Sequence, residues 1–138
     1  MRLATEDDTS AIRGALANLQ QYASYYTWAF DIDFDKACQV VADYVAEGKA
    51  YIIDGYLVLV DKIVPWYSNT PVLQEWLVVK VYGEGSVSSI PPALLRLAEQ
   101  LGCGGVMTAD SSPVNIMASA YRKAGFEPLT QSFFKKVT

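Results

Sequence analysis

Glu75 is the one charged residue in an apolar alternation that reads Leu73, Glu75, Leu77, Val79, Val81. Alternate residues of a strand share a face, so this carboxylate would sit among aliphatic side chains. Partial desolvation raises a carboxyl pKa, which suits a base that must take a proton from an ammonium group. The plainer arrangement puts Glu75 at the rim of a sheet, in water or paired with Lys80 or Lys62. The segment Gly83-Glu84-Gly85-Ser86-Val87-Ser88-Ser89 is the second feature with chemical content, because it runs into Pro91-Pro92 at a helix start. A Gly/Ser-rich loop entering a helix N-terminus can hold a phosphate on free N–H groups, and an ordinary turn has the same composition.

Other chemistry is excluded by residue type. The chain has no histidine, which removes Ser-His-Asp and Cys-His nucleophile systems and any His-bearing metal site. Its two cysteines, Cys38 and Cys103, form no Cys-x-x-Cys pair and read as reduced, buried thiols. Asp31, Asp33 and Asp35 alternate, but the Gly and terminal Glu of a calcium loop are missing, so no metal is expected. There are 11 Lys plus Arg against 15 Asp plus Glu, a net charge of −4. Residues 1–50 carry all of that excess; residues 51–138 are balanced. A clustered basic face is absent, which argues against nucleic acid as a partner. No apolar run approaches the ~18 residues of a membrane span, and the polar N-terminus Met1-Arg2-Leu3-Ala4-Thr5-Glu6 does not resemble a signal peptide. No membrane association and a cytoplasmic location are the expectation.

These residues need a scaffold, and 138 residues at 51% apolar content supply one core and one domain, 1–138. Met1 to Ala4 is a short edge strand. Thr5-Glu6-Asp7-Asp8 is a capping box, followed by a helix to about Gln20. Tyr22 to Phe30 is aromatic-rich without periodicity and reads as a loop. Asp33 or Asp31 caps a second helix whose buried stripe is Phe34, Ala37, Cys38, Val41, Tyr44 and Val45. Asp54-Gly55 between two β-rich runs predicts a hairpin, Ala50 to Ile53 and Tyr56 to Val64. Val72 to Tyr82 is a long strand. A third helix runs to Leu101 and closes at Gly102, and Gly105 to Ala109 is a buried strand. Asp110-Ser111-Ser112-Pro113 caps a fourth helix that ends at Gly125, and Phe126 to Val137 is a last extended strand. Within the fourth helix Tyr121 continues the apolar stripe Ile116, Met117, Ala120, Ala124, as a core tyrosine would. The order β-α-α-β-β-β-α-β-α-β predicts an α/β (α+β) fold: a central mixed sheet flanked by helices.

That order resembles the GNAT superfamily of acetyl-CoA-dependent acyltransferases. The likeness is specific at two places. Val114-Asn115-Ile116-Met117-Ala118-Ser119-Ala120-Tyr121-Arg122-Lys123-Ala124-Gly125-Phe126 is similar to the family's closing motif, and Glu75-Trp76-Leu77-Val78-Val79 to its central strand. More narrowly, the chain resembles small GNAT-like proteins of tailed bacteriophages, which implies host cytoplasm or virion. The resemblance implies acetyl-CoA as co-substrate and an amine acceptor, a small molecule or a peptide. It implies that Tyr121 protonates the leaving thiolate and Glu75 deprotonates the amine. The main chain of Leu77, Val78 and Val79 would hold the pantetheine arm. Gly83, Gly85, Ser86, Ser88 and Ser89 would hold the pyrophosphate, with Asn115 nearby. Asn115 reads equally well as a helix cap. Tyr26, Trp28, Trp66 and Tyr67 would wall the acceptor pocket or else pack in the core. Arg122-Lys123 and Lys135-Lys136 would meet the adenosine 3′-phosphate or simply lie in solvent. A homodimer through Phe126 to Val137 is a further implication.

In one respect the sequence departs from the family. Its loop lacks the initial Arg/Gln, carries Glu84, and places Pro91 about where the second Gly falls. Two functions are therefore in view. One is acetyl transfer from acetyl-CoA to an amine by direct attack. The other is a catalytically degenerate GNAT-like domain serving as a binding or structural protein, in a virion or on a host factor.

Overall fold

The computed structural model describes residues 1–21, 33–110 and 116–131, and 133, 135 and 137. Tyr22 to Phe30, Asp31, Asn115 and Ser111 to Pro113 lie outside the described residues. The elements in chain order are β1 (Arg2–Leu3), α1 (Thr9–Gln21), α2 (Phe34–Ala46), β2 (Ala50–Ile53), β3 (Tyr56–Ile63), β4 (Val72–Lys80), α3 (Ile90–Gln100), β5 (Val106–Met107) and α4 (Ile116–Lys123). The sheet order is β1-β2-β3-β4-β5. Pairing is antiparallel as far as β4, and β4 with β5 is parallel, as a strand–helix–strand crossover requires.

Both sheet faces are covered. Ile52, Leu57 and Leu59 point to α1 and α2, where Ile12, Leu16 and Val41 meet them. Ile53, Val58, Val60 and Leu73 point to α3 and α4, against Ile90, Leu94, Leu97 and Tyr121. The β3 run Leu57-Val58-Leu59-Val60 is buried on both faces for that reason. Each such side chain contributes about 1.5–3 kcal/mol by leaving water.

The local signals of the sequence account for the element ends. Asp33 caps α2, its Oδ1 accepting from the Lys36 N–H at 3.0 Å. Asp54 and Gly55 both take positive φ, +48° and +82°, which makes the tight β2–β3 corner. Thr5 and Asp8 form the expected capping box, with the Thr5 N–H donating to Asp8 Oδ2 at 2.8 Å.

Asp8 does more than cap. It is 2% exposed, takes a two-pronged ion pair from Arg2 at 2.7 and 2.9 Å, and accepts from the Tyr82 hydroxyl at 2.6 Å. Those bonds, led by Arg2, hold its carboxyl well below the usual range. The group therefore stabilises the fold above its ordinary pKa, and that contribution is lost as pH falls. Asp8→Ala removes a helix cap and strands the Tyr82 hydroxyl. The expected loss is about 2–3 kcal/mol in urea unfolding at neutral pH. A loss below about 0.5 kcal/mol would show that this carboxylate does not tie the N-terminal segment to the sheet.

Four expectations are corrected. Leu73, Glu75, Leu77, Val79 and Val81 do not share one face. In the β3–β4 register Leu59 faces Leu77 and Val60 faces Glu75, so Trp76 is an extra residue, a β-bulge. The bulge reverses the alternation: Leu73 packs toward α3 and α4, whereas Leu77, Val79 and Val81 pack toward α1 and α2. Second, β5 is two residues long. Third, Phe126 to Val137 forms no strand among the described residues; Leu129, Phe133 and Val137 are exposed there. Fourth, Cys38 and Cys103 are free thiols, half-buried rather than fully buried. The described part of α4 starts at Ile116, and the residues expected to cap it, 111–113, lie outside the described residues.

Candidate active site

The bulge decides where the chemistry sits. Glu75, immediately before Trp76, shares the α3 and α4 side with Leu73 and is directed at α4, while Leu77, Val79 and Val81 beyond the bulge turn to the other face. Trp76 is held outward, its Nε1 donating to Asp61 Oδ2 at 2.8 Å. Asp61 in turn accepts from the Tyr44 hydroxyl and pairs with Lys49 Nζ at 3.0 Å. The extra residue is thus anchored to β3 and α2.

Tyr121 comes from α4, and its motif has a physical basis. Gly125 takes φ +90°, the left-handed state that ends a helix. The Phe126 N–H then bonds the Tyr121 carbonyl at 3.0 Å, and the Gly125 N–H bonds Arg122 at 3.1 Å. The Phe126 ring lands on the Tyr121 ring, centroids 5.1 Å apart. Tyr-x-x-x-Gly-Phe is therefore a helix stop that clamps the tyrosine. Asp110 fixes the other end of α4, accepting from the Ala118 N–H at 2.8 Å.

Glu75 and Tyr121, 46 residues apart, meet there. The Tyr121 hydroxyl donates to Glu75 Oε2 at 3.1 Å. Both are 5% exposed. Burial pushes the Glu75 carboxyl up to about 7, against the opposing pull of the Tyr121 hydroxyl and the Ala109 N–H. Burial, and then the Glu75 charge, push the Tyr121 phenol well above its usual value, while the Thr108 hydroxyl opposes this. A rim position for Glu75 is ruled out. Lys80 Nζ bonds the Gly85 carbonyl at 3.0 Å, and Lys62 Nζ bonds the Leu101 carbonyl at 2.6 Å.

A cavity of about 600 Å³ opens beside this pair, walled by Thr108, Asp110, Tyr121, Arg122, Phe126 and Glu127 among others. Tyr121 lies on its wall and Glu75 lies behind, off the wall. The cavity is at the carboxyl end of β5, where open α/β sheets bind ligands. Thr108 is not singled out by the sequence, and Asp110 is read there only as part of a helix cap. Their place just after a parallel strand is the signal that would have found them.

The remaining candidates are distributed along β4. Leu77, Val78 and Val79 lie beyond the bulge, where β4 has no strand on its β5 side among the described residues, since β5 pairs only Leu73 and Gln74. Main-chain groups along that edge are placed to receive an extended arm. Gly83, Gly85, Ser86, Ser88 and Ser89 form the loop into α3, as expected, but four of its donors nearest the helix are engaged. The Ser86 N–H goes to Asp54, the Ser88 N–H to Ser86 Oγ, the Ser89 N–H to the Ser86 carbonyl and the Ile90 N–H to the Val87 carbonyl. Pro91 and Pro92 have no N–H to offer. The edge of β4 fits a pantetheine arm; the loop as it stands does not fit a pyrophosphate. Trp66 and Tyr67 stack edge-to-face in the β3–β4 connection, 96% and 70% exposed, and do not line the cavity. Tyr26, Trp28 and Asn115 lie outside the described residues. Among the described residues, no group of three His, Cys, Asp or Glu stands together to hold a metal, and no helix is long and apolar enough to cross a membrane.

The fold is that of the GNAT acetyltransferases. No protein-family model matches the sequence, and no curated protein matches it. Solved structures do. The aminoglycoside N-acetyltransferase AAC(6')-Iy in complex with CoA superposes with TM-score 0.64 at 16% identity, over 99% of this chain and 92% of that one. A predicted acetyltransferase from Clostridium acetobutylicum, solved with acetyl-CoA, gives 0.66 at 15% identity, over 96% and 92%. An acetyltransferase of Trypanosoma brucei gives 0.59 at 17%, over 99% and 97%.

Proposed function

We propose that this chain is a GNAT-type acetyltransferase that moves an acetyl group from a CoA thioester to an amine by direct attack. The observation that carries the reading is the buried Tyr121–Glu75 bond on the wall of a cavity at the carboxyl end of β5. The amine nitrogen attacks the thioester carbonyl carbon and the C–N bond forms. Main-chain N–H groups of the Leu77 to Val79 stretch polarise that carbonyl. Collapse of the tetrahedral intermediate breaks the C–S bond, and the thiolate takes the Tyr121 hydroxyl proton. Glu75, off the cavity wall behind Tyr121, here takes a different role from the amine base that the resemblance implies: in its acid form it returns a proton to the Tyr121 oxygen across the 3.1 Å bond. An ammonium acceptor loses two protons on becoming an amide; one ends on sulfur, and the other leaves for solvent. With a pKa of about 7, Glu75 carries its proton in part of the population at neutral pH and takes it up again in each cycle. The Asp110 and Glu127 carboxylates on the cavity wall suit a cationic amine, small or peptidic.

The resemblance to small phage GNAT-like proteins extends the proposal to the host cytoplasm or virion. The exposed Leu129, Phe133 and Val137 extend it to a homodimer. A second reading, a degenerate domain that binds a partner without transfer, draws support from the engaged Ser86, Ser88, Ser89 and Ile90 N–H groups of the loop.

Thermal unfolding with acetyl-CoA separates the two. At about 100 times Kd a ligand stabilises by about 2.7 kcal/mol. The expected rise in Tm is roughly 2–8 °C with acetyl-CoA, with ATP as the negative control. No rise in folded protein free of co-purified CoA would overturn acetyl transfer in favour of the second reading.

A further inference from the structure

Asp54 is a hairpin corner in the sequence, yet its carboxylate lies in the loop that enters α3. Asp54 Oδ2 accepts from the Ser86 N–H at 2.8 Å and from the Ser89 hydroxyl at 2.7 Å. The contact is built in from both sides. The Gly55 carbonyl accepts the Val81 and Tyr82 N–H groups at 2.8 and 2.9 Å, which sets the corner against the end of β4. A Cβ at Gly85 would lie 1.7 Å from the Asp54 carbonyl oxygen, so only glycine lets the hairpin sit this close. Lys80, over the Tyr56 ring at 4.4 Å, holds the Gly85 carbonyl from below. The Ser86 N–H and Ser89 hydroxyl, with help from the Lys80 charge, keep the Asp54 carboxyl below its ordinary pKa, so it is an anion.

We propose that Asp54 is a built-in anion that occupies the seat of the donor's pyrophosphate, so that this chain recognises its acyl donor by the pantetheine thioester arm alone. The proposal rests on the acetyl-transfer reading and names what that site recognises. A phosphate reaching Ser86 and Ser89 must displace a carboxylate or share donors with it, and like charges in one site repel. The N–H groups of Ser88, Ser89 and Ile90 offer no substitute, because they are bonded within the turn. Asp54 thereby sets donor specificity: CoA and a bare pantetheine thioester are near-equivalent.

Two substitutions test this without disturbing the corner, because Asn and Gly both accept positive φ. Asp54→Asn removes the charge, and Asp54→Gly empties the seat. Dissociation constants of acetyl-CoA and acetyl-pantetheine are measured by calorimetry on the full chain and both variants. The parent is expected to bind the two donors within about threefold of each other. Both variants should bind acetyl-CoA about tenfold more tightly or better, with acetyl-pantetheine unchanged within about twofold. Inorganic pyrophosphate should move the Ser86 amide resonance in the variants and leave it in place in the parent. A parent that prefers acetyl-CoA by about tenfold or more overturns the proposal. So do variants that bind acetyl-pantetheine but gain nothing for acetyl-CoA; the acetyl-transfer reading then stands. If no thioester binds parent or variants, that reading fails, and the role of Asp54 fails with it.

Discussion

Tyr121→Phe is expected to lower kcat by about 10²- to 10⁴-fold while leaving KM for the acetyl donor nearly unchanged. Tyr121 is the member of the Glu75–Tyr121 pair that reaches the cavity wall, so its oxygen is the one through which a proton passes to the thiolate. Phe keeps the ring, its contact with Phe126 and the helix stop at Gly125, so binding surfaces persist. What disappears is the proton for the thiolate and the route by which Glu75 resupplies it. The same change cuts Glu75 out of the proton route, so the fall in kcat as pH rises through about 7, expected of the parent because Glu75 must carry its proton, should disappear from the variant. Steady-state kinetics across pH reads both effects. A variant with kcat within about threefold of the parent would show that the thiolate leaves without Tyr121.

Glu75→Gln should make stability much less dependent on pH. The ordinary Glu75 pKa is 4.5, and burial raises it to about 7 in the folded chain. The folded state therefore holds this proton more tightly than the unfolded state does. Its stabilising effect is complete below the ordinary pKa and is lost as pH rises through about 7. The difference of about 2.5 units corresponds to about 3 kcal/mol. Glutamine has no proton to lose and still accepts from Tyr121. Between roughly pH 4.5 and pH 8 the variant should gain about 3 kcal/mol on the parent in urea unfolding. A difference that stays flat across that range would mean that Glu75 titrates as it does in water.

Helices and corners were legible because their signals are local. Thr5 and Asp8, Asp33, Asp54-Gly55 and Gly125 act within a few residues, and each stands where its type predicts. The candidate pair was legible for different reasons: Glu75 broke an apolar pattern, and Tyr121 belonged to a recognisable helix stop. What escaped was non-local. Leu77, Val78 and Val79 are apolar on both faces, so nothing in their composition marks a change of phase at Trp76. Asp54 reads as a turn residue because its second role lies 32 residues away, at Ser86. The end of the chain carried β-type residues, but strand propensity reflects packing against neighbours, and Leu129, Phe133 and Val137 have little around them.

The extra residue at Trp76 works like a shift of reading frame within one strand. Upstream of it, odd-numbered positions address the proton-transfer side; downstream, the same parity addresses the opposite core. The two halves of β4 therefore tolerate different substitutions at positions that look equivalent on paper. Pairing Trp76 as an ordinary ladder residue would turn Leu77, Val79 and Val81 inside out, delivering three aliphatic side chains to the chamber and withdrawing them from the helices that need them. Deleting Trp76 would instead make the pairing regular and leave both faces as they are. The offset at Trp76, rather than any side chain, decides which core each half of this strand feeds.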